Sequence, residues 1–287
     1  MNISNLFKES LVYPIKNWAK FFIVGVLALF IIPNLFFNLP YFDPFILNSP
    51  IIDNFQKYFE LRILLFVVSF LISVFILGYG FSIIKSTIDN VNNSAKCHDF
   101  NIKTNWIDGL KVLIINLVYF LIPFLALILI YSVLFLNFDY IGFVSTLILN
   151  SSSILVAGAF SSFILFNITL MFNLVFIVNV IIPFIIIIFS LFQLIAIARF
   201  ADTKDFKSSF NLNEIISVIK NIGWRKYLVF IICLYLIYFA INFIMNFVFA
   251  LPLHLFLCLV LIYLILYPYL IFVSSRAVGL IYNESKI

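Results

Sequence analysis

Charge is what this sequence has least of. Only 10% of its 287 residues are Asp, Glu, Lys or Arg, whereas 65% are hydrophobic. A soluble domain carries about 25% charged and about 45–50% apolar residues, and 12 acids with 17 bases cannot cover a soluble core of this size. A soluble fold is excluded, and the surface must face lipid. Disorder, which requires low hydrophobicity, fails on the same ground. Three cysteines are too few for a disulfide scaffold. Glycine is scarce at 8 residues, against 38 Phe. That ratio fits an AT-rich coding sequence, which lowers the weight of any single Phe or Asn. No glycine-rich phosphate loop ending in Lys-Ser/Thr is present. The first twenty residues hold Lys8, Glu9, Pro14, Lys16 and Lys20, without a short apolar core or a small-residue cleavage site, so the expectation is a retained N-terminus.

What is present is long apolar runs. A bilayer core of about 30 Å needs about 20 apolar helical residues. Five stretches satisfy this: Phe21–Leu39, Ile63–Ile84, Val112–Leu136, Tyr227–Leu251 and Leu253–Val273. Tyr140–Ala198 carries no charge and is long enough for one or two crossings. Lys and Arg are retained on the cytoplasmic side of short loops, and 15 of the 17 bases fall in four segments: Lys8–Lys20, Lys85–Lys111, Arg199–Lys226 and Arg276–Lys286. If these are cytoplasmic, the chain leaves at a turn near Asp139 and returns once before Arg199. The single crossing is placed at about Asn173–Ala198. Ile141–Thr169, rich in Ser and Asn, is then an outer-leaflet or re-entrant segment. The alternative is two crossings there, giving seven spans.

An amphipathic segment precedes each pair of spans. Ile3, Leu6, Phe7, Leu11, Ile15 and Trp18 form the first stripe. Leu212, Ile215, Ile216, Ile219 and Ile222 form the third, and a shorter Trp106–Leu110 lies between. Such helices lie in the interface plane with bases toward anionic headgroups. The three tryptophans, Trp18, Trp106 and Trp224, each sit just before a span, at headgroup level. Lys85, Arg199 and Arg276 each stand where a second helix leaves the membrane, either as snorkelling stop-transfer residues or as a ring around a lipid headgroup. On the second reading, neutralising these three weakens binding to anionic vesicles more than neutralising Lys204 and Lys207.

Catalytic chemistry is not encoded in any recognisable cluster. Cys97-His98-Asp99 is one adjacent trio without a second Cys/His pair, which is a solvated loop rather than a metal site. Cys233 and Cys258 read as small apolar residues, and His254 as an interfacial residue of the turn after Pro252. No intramembrane charge marks a proton path. Asn116, Asn173, Asn179, Gln193, Asn242 and Asn246 either line a passage or link helices. Asp108 reads as an N-terminal cap of the third span. The bases are too dispersed for nucleic acid and fit anionic lipid instead.

Two ordered sets of short motifs resemble a known family. The first is Gly78-Tyr79-Gly80, Ile84-Lys85-Ser86-Thr87, Trp106-Ile107-Asp108-Gly109-Leu110-Lys111, Tyr119 and Pro123. The second is Ile197-Ala198-Arg199-Phe200, Phe210-Asn211 and Ile222-Gly223-Trp224-Arg225-Lys226-Tyr227. Over nearly the whole chain they resemble the uncharacterised domain of unknown function 4013. The resemblance implies a polytopic membrane protein of a largely archaeal family. The chain departs from the pattern in Asn90–Asn105, where Asn90 and Ala95-Lys96 replace a Gly and a Leu-Pro, so a binding role for that loop does not carry over. The motif positions singled out as headgroup or structural sites are Gly78, Tyr79, Lys85, Asp108, Gly109, Arg199, Gly223, Trp224 and Arg276.

The expected fold is an all-α integral membrane protein of the cell membrane, residues 1–287 forming one polytopic domain. It has about six transmembrane helices in three hairpins, each preceded by a cytoplasmic interfacial amphipathic helix, with both termini cytoplasmic. The pseudo-repeats span about 1–89, 100–202 and 210–287. The expected role is non-enzymatic, without cofactor or metal: binding or moving a lipid-like or small solute, or organising the membrane. A scaffold docking a protein through Arg199–Lys226 is the alternative, and a headgroup enzyme a third reading.

Overall fold

The computed structural model describes residues 2–32, 55–89, 99–149, 182–250 and 255–286, and every regular element among them is helical. In chain order these are α1 (Ile3–Lys16), α2 (Trp18–Leu29), α3 (Phe55–Asp89), α4 (Ile102–Leu149) and α5 (Ile182–Thr203). A short 3₁₀ helix (Phe206–Phe210) leads to α6 (Leu212–Ile222), α7 (Trp224–Ala250) and α8 (Leu255–Leu261). A single π turn (Ile262–Leu266) joins α8 to α9 (Tyr267–Asn283). Among the described residues, four segments are long and apolar enough to cross a membrane: Ile63–Asp89, Ile102–Leu121, Trp224–Met245 and Leu257–Lys286. The pair α1 and α2, bent by 76°, makes a fifth if counted as one. His254, Cys97, His98, Asn173, Asn179 and Asn150–Thr169 lie outside the described residues.

The chain divides into two compact units, Met1–Ile115 with Leu194–Ile287, and Asn116–Gln193. In the first unit, Tyr13, Val24, Ala28, Ile76, Tyr79, Ile83 and Phe272 form the buried core. Aromatic rings fill its centre: Tyr79 stacks on Phe100 at 4.3 Å and lies 5.8 Å from Phe272. In the second unit, Gln193 Nε2 donates to Asn116 Oδ1 at 2.7 Å. Two of the expected amides therefore link helices, the structural reading of the pair.

Two local expectations need correction. The turn expected near Asp139 is absent, because α4 continues through it to Leu149; isolated polar residues and one glycine do not stop a helix this apolar. The middle amphipathic segment is not a separate helix, since Trp106–Leu110 is the start of α4. Its counterparts are set off by real breaks: Asn17 between α1 and α2, and Gly223, at φ 91°, between α6 and α7. Helix α1 buries Leu6, Phe7, Ser10, Tyr13 and Pro14, while Ile15 and Trp18 are each 70% exposed. Tyr13 turns inward because α9 receives it, with Phe272 at 6.2 Å and the Arg276 guanidinium 5.1 Å from its ring.

Close helix crossings fix the rest of the first unit. A Cβ on Gly78 would fall on the Asn105 carbonyl oxygen, and one on Gly109 on the Val74 carbonyl oxygen, so α3 and α4 touch backbone to backbone. A Cβ on Gly279 of α9 would meet the Thr87 side chain of α3 at 2.6 Å. Ser82 Oγ, between the first two helices, bonds to Asn105 Oδ1 at 2.9 Å.

Candidate functional site

The ends of α3, α4 and α5 that carry bases meet in the first unit. Lys85 lies four residues before the end of α3, Asp108 and Lys111 lie in the opening turns of α4, and Lys204 follows the last residue of α5. Together with Phe81, Phe200 and Ala201 they line a cleft of about 140 Å³. Its floor is aromatic, Phe81 and Phe200 stacking at 4.7 Å. The Lys111 ammonium lies 5.5 Å from the centre of the Phe200 ring, a cation–π arrangement that holds the charge in place.

Lys204 has a positive φ of 58°. Helix ends usually give that left-handed position to Gly or Asn, and here a lysine occupies it and lines the cleft. Among the described residues, no ion pair within 4.0 Å engages Lys85, Lys111 or Lys204; the carboxylates that do pair hold other bases. Asp108 is the one acid in the lining, so the cleft holds three positive charges against one negative. Such a site attracts anions.

Several other bases at this end are engaged. Arg199 pairs with Glu214 of α6. Lys226 reaches Glu284 at 2.5 Å, and Lys286 reaches Asp202 at 2.5 Å. Tyr282 Oη donates to the same aspartate at 3.0 Å. Lys20 pairs with Asp99 at 2.8 Å. Arg276 is engaged and enclosed as well. Its side chain is 3% exposed and paired with Glu9 of α1, and its Nη1 donates to Thr87 Oγ1 at 3.0 Å. The reason is the close approach at Gly279, which brings α3 against α9 and encloses the guanidinium.

Residues 61–250 match the family described as a protein of unknown function, DUF4013. The chain belongs to DUF4013. The match is narrower than the nearly full-chain resemblance read from the motifs: residues 1–60 and 251–287, with Glu9 and Arg276, lie outside it. No curated protein and no solved structure matches the chain.

The geometry sorts the DUF4013 motif positions by role. Gly78 and Gly109 are the crossing of α3 and α4, and Tyr79 is fully buried core. Gly223 ends α6 and Trp224 begins α7, with the indole 41% exposed. Asp108 is not the cap of α4; Asn101 is, its Oδ1 accepting from the Thr104 N–H at 3.2 Å. Asp108 lies beyond the first turn and lines the cleft. Of the three bases expected to ring one site, only Lys85 lines it. Lys111, in the quoted motif but given no role, and Lys204, expected to be a neutral control, complete it instead. The available signal for Lys204 was its place directly after α5; for Lys111, its spacing of three residues from Asp108 on a helix.

Proposed function

We propose that this DUF4013 chain is a multi-pass protein of the cell membrane that binds anionic lipid headgroups, without catalysing a reaction on them. The observation that carries the proposal is the convergence of Lys85, Lys111 and Lys204 over an aromatic floor, with Asp108 the only acid among them. Helices α2, α3, α4, α5, α7 and the α8–α9 pair supply six crossings, with α1 and α6 in the interface plane. The base-bearing ends then face the cytoplasm, as the retention of Lys and Arg requires, and both termini lie there.

Exposed apolar side chains support the lipid-facing role. Leu64, Phe66, Phe239 and Phe243 are all more than half exposed, a burden no soluble surface carries in such density. At the cytoplasmic boundary Ile15, Trp18 and Trp224 point outward, at the level where indole rings settle. A base near an anionic surface contributes about 1 kcal/mol, so three unpaired lysines in one cleft are enough to localise a headgroup.

The test uses purified protein in nanodiscs. Anionic lipid should copurify with the wild type, and Lys85→Gln/Lys111→Gln/Lys204→Asn should lower its retention by about 100-fold, at about 1 kcal/mol per lysine. The combination Lys207→Gln/Arg225→Gln should leave retention unchanged. Equal loss in both variants would assign binding to general surface charge and end the proposal. The scaffold reading has its own support in the exposed bases Lys207, Lys220 and Arg225, and it would be favoured by a protein that copurifies and is lost only with Lys207→Gln/Arg225→Gln.

A further inference from the structure

The cleft has a charge count that selects among anions, and this inference rests on the headgroup reading above. We infer that Lys85, Lys111, Lys204 and Asp108 form a site for a phosphomonoester, a dianionic terminal phosphate, rather than for a phosphodiester. Three ammonium groups and one carboxylate leave two positive charges uncompensated in the lining. A phosphodiester supplies one negative charge. A phosphomonoester supplies about 1.5 to 2 at neutral pH, its second pKa being about 6, and only that group brings the site to neutrality.

Size and donor chemistry agree. The cleft, at about 140 Å³, equals the share of roughly four to five water molecules at about 30 Å³ each. That admits a terminal phosphate. The bases are all lysines, point charges with three rotatable donors each, which can spread over the three free oxygens of a terminal phosphate. They lack the planar fork that arginine offers to two oxygens. Phe81 and Phe200 give the cleft an apolar floor, against which the first carbons of an esterified alcohol pack. Lys111 is held over Phe200, and Lys204 is held by its place at the end of α5, so part of the ordering cost of binding is met before a ligand arrives.

The phosphomonoester has two sources, a lipid and a soluble ester, and the experiment separates them. Full-length protein is placed in phosphatidylcholine nanodiscs with an equal mole fraction of phosphatidic acid, a monoester, or phosphatidylglycerol, a diester. Retained lipid is quantified by native mass spectrometry. The monoester should be retained about tenfold better, one extra charge in a three-lysine site. Its retention should fall as pH drops through about 6, where the second proton binds, while that of the diester stays flat. Lys85→Gln, Lys111→Gln and Lys204→Asn should each weaken monoester retention severalfold. Lys204→Asn relieves the left-handed position, so its thermal midpoint should hold or rise, which separates lost binding from lost folding. Equal retention of both lipids, abolished together by the triple variant, would overturn the monoester assignment and leave headgroup binding standing. Retention insensitive to the triple variant would overturn both. Glycerol phosphate that displaces phosphatidic acid at matched concentration would move the ligand from lipid to solution and overturn the lipid source; failure to displace it supports that source.

Discussion

Gly78 and Gly109 carry the sharpest single-residue consequence. Each lies where a Cβ would meet backbone of the opposite helix, and backbone cannot rotate away as a side chain does. Gly78→Ala or Gly109→Ala should therefore force α3 and α4 apart and cost about 1–3 kcal/mol, the range for overpacking a tight site. Thermal unfolding in detergent reads this as a lowered midpoint. Gly223 makes the contrast: nothing lies within 4 Å of its Cβ position, so alanine there meets only the roughly 1–2 kcal/mol penalty of a left-handed residue. Arg276 is the second such residue. Removing its carboxylate with Glu9→Gln leaves a guanidinium 3% exposed without its counter-charge, and breaking a buried pair on one side costs about 3–5 kcal/mol. The double variant Glu9→Gln/Arg276→Met should recover much of the loss. If the double were no more stable than the single variant, the pair would not be coupled.

At the scale of elements, the ends of helices are where this chain uses its few charges. Glu9 ties α1 to α9, Glu214 ties α6 to α5, and Glu284 ties the last residues to α7. These attachments explain why α1 and α6 can be short, since an isolated helix of fewer than about 12–15 residues is marginal in water. Helix α6 adds an N-terminal cap, the Asn211 side chain accepting from the Glu214 N–H at 3.4 Å. In the second unit, an amide link joins Asn116 of α4 to Gln193 of α5. Gln193→Leu should lower thermal stability only slightly, about 0.6 kcal/mol on the average for polar links between membrane helices, measured against wild type in the same detergent. A loss of several kcal/mol would assign the amide a larger role than joining two helices.

For the whole molecule, orientation is the decisive property. The proposed topology puts Lys207 on the cytoplasmic side. On a background with Cys97, Cys233 and Cys258 changed to alanine, Lys207→Cys should react with a membrane-impermeant maleimide only after the cells are opened. Labelling of intact cells would replace six crossings by seven.

Composition and periodicity by themselves determined that this chain is helical and built around long apolar segments, because scarcity of charge is a property of every window and needs no partner to be read. The run through Asp139 was illegible, since continuation of a helix past a lone acid depends on what surrounds it. The roles of Gly109, Asp108 and Arg276 were equally so. A glycine inside a helix is either a break or a crossing, and only the presence of Val74 and Gly78 across from Gly109 decides which. Arg276 reads as a surface base until Glu9, 267 positions earlier in the chain, is found beside it. The lysine cleft belongs to the same class. Lys85, Lys111 and Lys204 come from three helices, and a charge cluster assembled across such separations exists only once tertiary packing has brought those helix ends together.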